Sequence, residues 1–191
     1  LMKDPEKAAR IAEAVVKADA ADLPNTDRIT VAADGEGRAK ITAAGKGAHA
    51  SMPEGGVNAT GLIVDYLLEN GLCGADERAF LELDQKLLNH TDGSGVGIKS
   101  SDEYFGPLTV IGGTIALKDD RFVQTVDSRF PTSITADEIT ERLRQLAEDH
   151  APAGDTFTWL MIWLAEAQRD GLIAQYPDGR YGPHPALRTA V

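Results

Sequence analysis

The chain has 191 residues, enough for one sizeable core or two small lobes sharing an interface, and the composition of an ordinary globular protein. Its formal net charge is -11, with 19 Lys and Arg scattered among 30 Asp and Glu; this argues against nucleic acid, because phosphate binding needs clustered cations. Its single cysteine, Cys73, can form neither an internal disulfide nor a cysteine-based metal site, and no apolar run reaches the ~20 residues that span a bilayer, so we expect a soluble, cytoplasmic protein with no membrane partner.

Asp4-Pro5 reads as a helix cap followed by proline in the first turn. Ile11, Ala14, Val15 and Ala18 follow at three-to-four-residue spacing and predict a helix over roughly residues 5 to 18. A chain opening Leu1-Met2-Lys3 and passing straight into a helix suggests a piece of a larger protein. Asp22-Leu23-Pro24-Asn25 breaks the helix, and Arg28 to Ala32 and Arg38 to Thr42 flank the turn-rich Asp34-Gly35-Glu36-Gly37 as a hairpin. In its second strand Ala39, Ile41 and Ala43 alternate as the inner face of a half-buried strand. That strand runs into Gly45-Lys46-Gly47-Ala48-His49, where glycines let the backbone turn. Pro53 and Gly55-Gly56 lead into a helix capped by Asn58, with Leu62, Ile63, Tyr66 and Leu67 apolar and a stop at Asn70-Gly71.

Asp76 to Leu88 predicts a further helix with Phe80, Leu83, Leu87 and Leu88 on one face. Thr91 to Gly97 and Ser100 to Pro107 form an irregular connection holding His90 and Asp92, a pair that more often is solvated than binds a metal. Leu108 to Leu117, a turn at Lys118-Asp119-Asp120, and Arg121 to Phe130 make a second hairpin, with a bulge expected at Gly112-Gly113. The period of two puts Phe122, Val126 and Phe130 on one face and Val123, Thr125, Asp127 and Arg129 on the other. Pro131 ends that strand, Thr135 and Glu138 form a capping box for a helix carrying Ile139, Leu143 and Leu146, and Gly154 to Trp159 reads as a last strand. Met161 to Ala174 has the pattern of an amphipathic helix, and the stretch after it, Gln175 to Pro185, is turn-rich.

From residue 37 onward this order is β-α-β-β-α-β with an insertion, that of an α+β ferredoxin-like α/β sandwich. The expected plan is one domain over residues 1–159, with 1–34 a partial second lobe, 35–159 the ferredoxin-like lobe and 72–106 its insertion. Residues 160–191 form an unassigned tail.

On the residues alone, His49 is open to two readings: a solvated or hydrogen-bonded loop histidine, or a functional group. The glycines also suggest an anion site at a helix N-terminus, but neither the G-x-x-x-x-G-K-[ST] nor the G-x-G-x-x-G spacing is present. Asp119-Asp120 lies in a turn and Asp137-Glu138 in a first helical turn, where negative charge complements the dipole. The histidines His49, His90, His150 and His184 are widely separated and no H-E-x-x-H or H-x-D motif occurs, so no metal ligands are assigned and the chain by itself is expected to bind no catalytic metal.

The run Gly-Lys-Gly-Ala-His-Ala-Ser-Met-Pro-Glu-Gly-Gly-Val-Asn-Ala, residues 45 to 59, resembles the G-x-x-A-H-A-S-x-P-x-x-G-x-N-A segment in the lid, or dimerisation, domain of M20-family metallopeptidases, most of all the PepV-type, carnosinase-like dipeptidases. The resemblance implies the lid of a dipeptidase whose two zinc ions (or manganese) and Glu base lie on a separate catalytic domain of the same parent chain, so that this chain alone would be inactive. It implies that His49 donates a hydrogen bond to the scissile carbonyl oxygen, and that Arg129, in Val126-Asp127-Ser128-Arg129-Phe130-Pro131, grips the carboxylate end of a dipeptide. An ion pair with Asp127 is the competing role for Arg129. An asparagine lining such sites would lie upstream of Leu1. The alternative is a stand-alone ferredoxin-like binding or regulatory module for a small anion or a protein partner, and a third reading is a purely structural dimerisation domain.

Overall fold

The structure is a computed structural model that describes residues 10–118, 121–150, 173–175 and 181–183. It is α+β, and the chain divides into two compact units, Leu1–Asn89 and His90–Val191.

The first unit is a three-stranded antiparallel sheet with helices. Strands β1 (Ile11–Val16), β2 (Ile29–Ala33) and β3 (Ala39–Ala44) lie in the order β1-β3-β2. The β2–β3 hairpin has the expected place, with Val31 opposite Ile41 and positive φ at Gly35 and Gly37 in its turn. β1 corrects the helix expected over residues 5 to 18: the described part, Ile11–Val16, is extended and pairs along β3 from Ile11 opposite Ala44 to Val16 opposite Ala39. Its side chains alternate, Ala12, Ala14 and Val16 half-buried and Ile11, Glu13 and Val15 exposed, so the apolar spacing fits both periods. The free edge of β3 settles it, since pairing there satisfies β3's backbone groups, and tertiary context outweighs local propensity. The segment of 1–34 set apart as a second lobe thus contributes two strands to the sheet that contains β3.

Helix α1 (Ala59–Glu69) covers one face of this sheet, where Ile29, Ile41, Ala43, Ala59, Ile63 and Tyr66 form a buried cluster. Its ends are as the sequence indicates: the Asn58 side chain accepts from the N–H groups of Thr60 and Gly61, and Gly71 takes a left-handed φ of 64° just past the C-cap Asn70. Helix α2 (Ala75–Leu88) buries Phe80, Leu83, Leu87 and Leu88, the face expected. Asp84 is buried in the same stripe, neither carboxylate oxygen has a hydrogen-bond partner among the described residues, and burial pushes its carboxyl up to about 7.

The second unit contains a short ladder, β4 (Ser101–Asp102) with β5 (Gly106–Pro107), and the hairpin of β6 (Thr109–Lys118) and β7 (Arg121–Arg129). The register of that hairpin shifts between Gly112 and Ile115, the bulge anticipated at Gly112-Gly113. A Cβ at Gly113 would stand 2.5 Å from the Thr125 hydroxyl, which instead accepts from the Thr114 N–H. Asp102 ties two segments together. One oxygen accepts from the N–H groups of Tyr104 and Phe105, the other from the N–H and hydroxyl of Thr132, and these bonds, that from Phe105 foremost, hold its carboxyl below the usual range. Helix α3 (Ala136–His150) begins at the expected capping box, with Thr135 N–H donating to Glu138 and Glu138 N–H to the Thr135 hydroxyl, and buries Ile139, Leu143 and Leu146. Strands β8 (Ile173–Gln175) and β9 (Tyr181–Pro183) pair, so the last two residues of the helix expected over 161–174 are extended, as is part of the turn-rich stretch. The turn at Asp119-Asp120 and the strand at 154–159 lie outside the described residues.

Candidate functional site

The site begins where β3 ends. Between Lys46 and Val57 the chain makes a loop closed at its base by an isolated antiparallel bridge, in which each residue's N–H donates to the other's carbonyl at 2.9 Å. Two glycines permit the closure. A Cβ on Gly45 would lie 2.6 Å from the Val57 carbonyl oxygen and 2.9 Å from the backbone nitrogen of Ala59; on Gly56 it would lie 2.7 Å from the Ala48 Cβ. Gly45→Ala is therefore expected to cost about 1–3 kcal/mol of stability, because the contact is with backbone that cannot rotate away. Gly55→Ala, with no atom within 4 Å of the new Cβ, is expected to be near neutral, and parallel denaturant titrations compare the two.

Within the closed loop His49 and Met52 form a second bridge, the Met52 N–H donating to the His49 carbonyl at 2.9 Å, so His49-Ala50-Ser51-Met52 is a tight turn. His49 is exposed. Its Nδ1 stands 2.8 Å from the Ser51 hydroxyl oxygen and 3.3 Å from the Ser51 backbone nitrogen. Sequence reasoning assigned Ser51 no role; the signal was its place two residues after the histidine, the spacing at which a turn folds a side chain back on the backbone. Beyond the loop Asn58 caps α1, the local task expected of it.

Arg129 ends β7 in the second unit, on the outward face with Asp127, while Gln124, Val126 and Ser128 are buried on the other. Its Nε and Nη2 donate to the two Asp127 carboxylate oxygens at 3.1 and 3.2 Å, the ion pair that competed with substrate binding in the sequence reading. Both partners are substantially exposed, and Asp127→Asn is expected to change stability by less than about 1 kcal/mol in the same titration. His49 and Arg129 thus lie in different compact units, each with a defined local partner.

Among the described residues no group of three or more His, Cys, Asp or Glu side chains could hold a metal ion. Asp92 is occupied otherwise: the Lys99 ammonium, at 2.8 Å, and the Ser94 hydroxyl and N–H hold its carboxyl well below the usual range. His184 lies outside the described residues. No helix of the described residues is long and apolar enough to cross a membrane.

In comparisons with known proteins, no family model and no curated protein matched the chain.

Proposed function

We propose that the chain is the lid domain of an M20-type, zinc-dependent dipeptidase. In this reading it supplies His49 as an oxyanion donor and Arg129 as a carboxylate anchor to a metal site on a separate catalytic domain. The observation that carries the reading is the exposed imidazole on a doubly bridged, glycine-closed loop, within a run whose spacing resembles the lid segment of that family. An oxyanion donor has to be in place before charge develops on the carbonyl oxygen, and a clamped loop meets that requirement better than a mobile one. Arg129 has five N–H donors arranged as a planar fork, so a guanidinium oriented by Asp127 can present parallel bonds to a second carboxylate. The ferredoxin-like sandwich belongs to the same proposal. The order β3, α1, β6, β7, α3 with α2 inserted follows that plan, whereas the strand pairing departs from it: β1 and β2 occupy both edges of β3, and β6 pairs with β7 in a two-stranded sheet.

The test is dipeptidase kinetics, with zinc or manganese, of the polypeptide that carries both this chain and the catalytic domain. Arg129→Ala is expected to raise KM for dipeptides with a free carboxylate while sparing their amides, and His49→Ala to lower kcat. Wild-type behaviour in both variants would sink the reading and leave His49 as the loop histidine of a binding module.

A further inference from the structure

We infer that Ser51 is a positioning residue that holds the His49 imidazole in one tautomer, with its proton on Nε2. The catalytic consequence rests on the lid reading, but the tautomer does not. A backbone N–H can only donate, so the Ser51 N–H, 3.3 Å from Nδ1, requires a lone pair on that nitrogen. The Ser51 hydroxyl can donate or accept, and at 2.8 Å it turns its hydrogen toward the same lone pair. A neutral imidazole carries one N–H, which therefore sits on Nε2, across the ring from Ser51. The opposite tautomer would set an Nδ1–H against the Ser51 N–H, donor against donor. Rotating the ring to escape would forfeit both contacts, and the turn itself is held by the Met52 N–H bonded to the His49 carbonyl.

The consequence is a donor whose identity and direction are set before any substrate arrives. A histidine free to exchange tautomers presents a hydrogen at Nε2 only part of the time; one held by Ser51 presents it throughout. His150 provides the contrast in the same molecule. Its Nδ1 lies 2.8 Å from the Leu146 carbonyl oxygen, which can only accept, so His150 carries its proton on Nδ1.

The experiment is a long-range proton–nitrogen correlation spectrum of the imidazole rings in the full 191-residue chain, recorded in alkaline buffer. His49 is expected to show the nitrogen shifts of an Nε2–H ring, and His150 those of an Nδ1–H ring. In Ser51→Ala, which removes the hydroxyl but keeps the backbone N–H, both His49 nitrogens should move part of the way toward the averaged values of exchanging tautomers, and Ser51→Thr, which keeps the hydroxyl, should restore them. Averaged or Nδ1–H shifts for wild-type His49, or shifts unmoved by Ser51→Ala, overturn the inference. In the complete dipeptidase, Ser51→Ala should lower kcat by less than His49→Ala does, with recovery in Ser51→Thr. An unchanged kcat beside an impaired His49→Ala removes the positioning role. If the spectrum gives the Nε2–H form while His49→Ala retains full activity, the lid reading falls and the tautomer assignment stands.

Discussion

Asp84→Asn is expected to make the chain more stable than wild type at about pH 8 and to abolish a loss of stability that wild type shows as pH rises from about 4 to about 7. The Asp84 carboxyl is fully buried on the α2 stripe that also buries Phe80, Leu83, Leu87 and Leu88, and no group among the described residues donates to either oxygen in place of the water its charged form loses. Burial raises it from an ordinary 3.8 to about 7. Between those values the folded chain holds a proton that the unfolded chain has released. Stability therefore falls with rising pH across that window and levels off above it, by about 4 kcal/mol in total. Asparagine keeps the shape and removes the ionisation, so its profile should be flat where wild type slopes. Asp92 and Asp102, whose carboxyls are held below the usual range, act with the opposite sign: their stabilisation is lost as pH falls through their lowered values, below this window, and is common to both proteins. Denaturant unfolding of both proteins at about pH 4, 6 and 8 provides the comparison, and equal slopes in the two would show that Asp84 is solvated or paired.

If the proposed lid reading holds, His49→Ala in the polypeptide that carries both this chain and the catalytic domain should reduce kcat roughly a hundredfold or more, about 3 kcal/mol, with a much smaller change in KM. The split follows from where the hydrogen bond gains strength. In that reading the imidazole N–H would meet a neutral carbonyl oxygen in the bound substrate and a nearly full negative charge in the transition state, so its removal would be felt mainly in the chemical step. A structural loop histidine predicts the reverse: stability would change through the lost Ser51 contacts, and kcat would not. Measuring unfolding and steady-state kinetics on the same variant separates the two. A loss confined to stability would transfer His49 from chemistry to loop architecture.

The sequence by itself determined the features whose causes lie within a few residues. The Asn58 cap and the Gly71 stop bound α1, the Thr135–Glu138 box starts α3, the Asp34 to Gly37 turn joins β2 to β3, and Gly112-Gly113 marks the bulge, each through a donor or a backbone angle supplied locally. It also singled out His49 and the glycines that let its loop close. Tertiary structure decided the rest. Ile11, Ala14 and Val15 fit helical spacing while Ala12, Ala14 and Val16 fit the period of a strand, and only the antiparallel partner β3 made this segment β1. Asp84 sits in sequence like any exposed helix carboxylate, and only the packing around α2 removed it from water. For Arg129 the period of two in the sequence already put Asp127 on the same face as a candidate partner, and the folded strand has that pair formed. A cap or a turn is satisfied by neighbours along the chain, whereas strand pairing and burial depend on groups brought together through space, which no local pattern encodes.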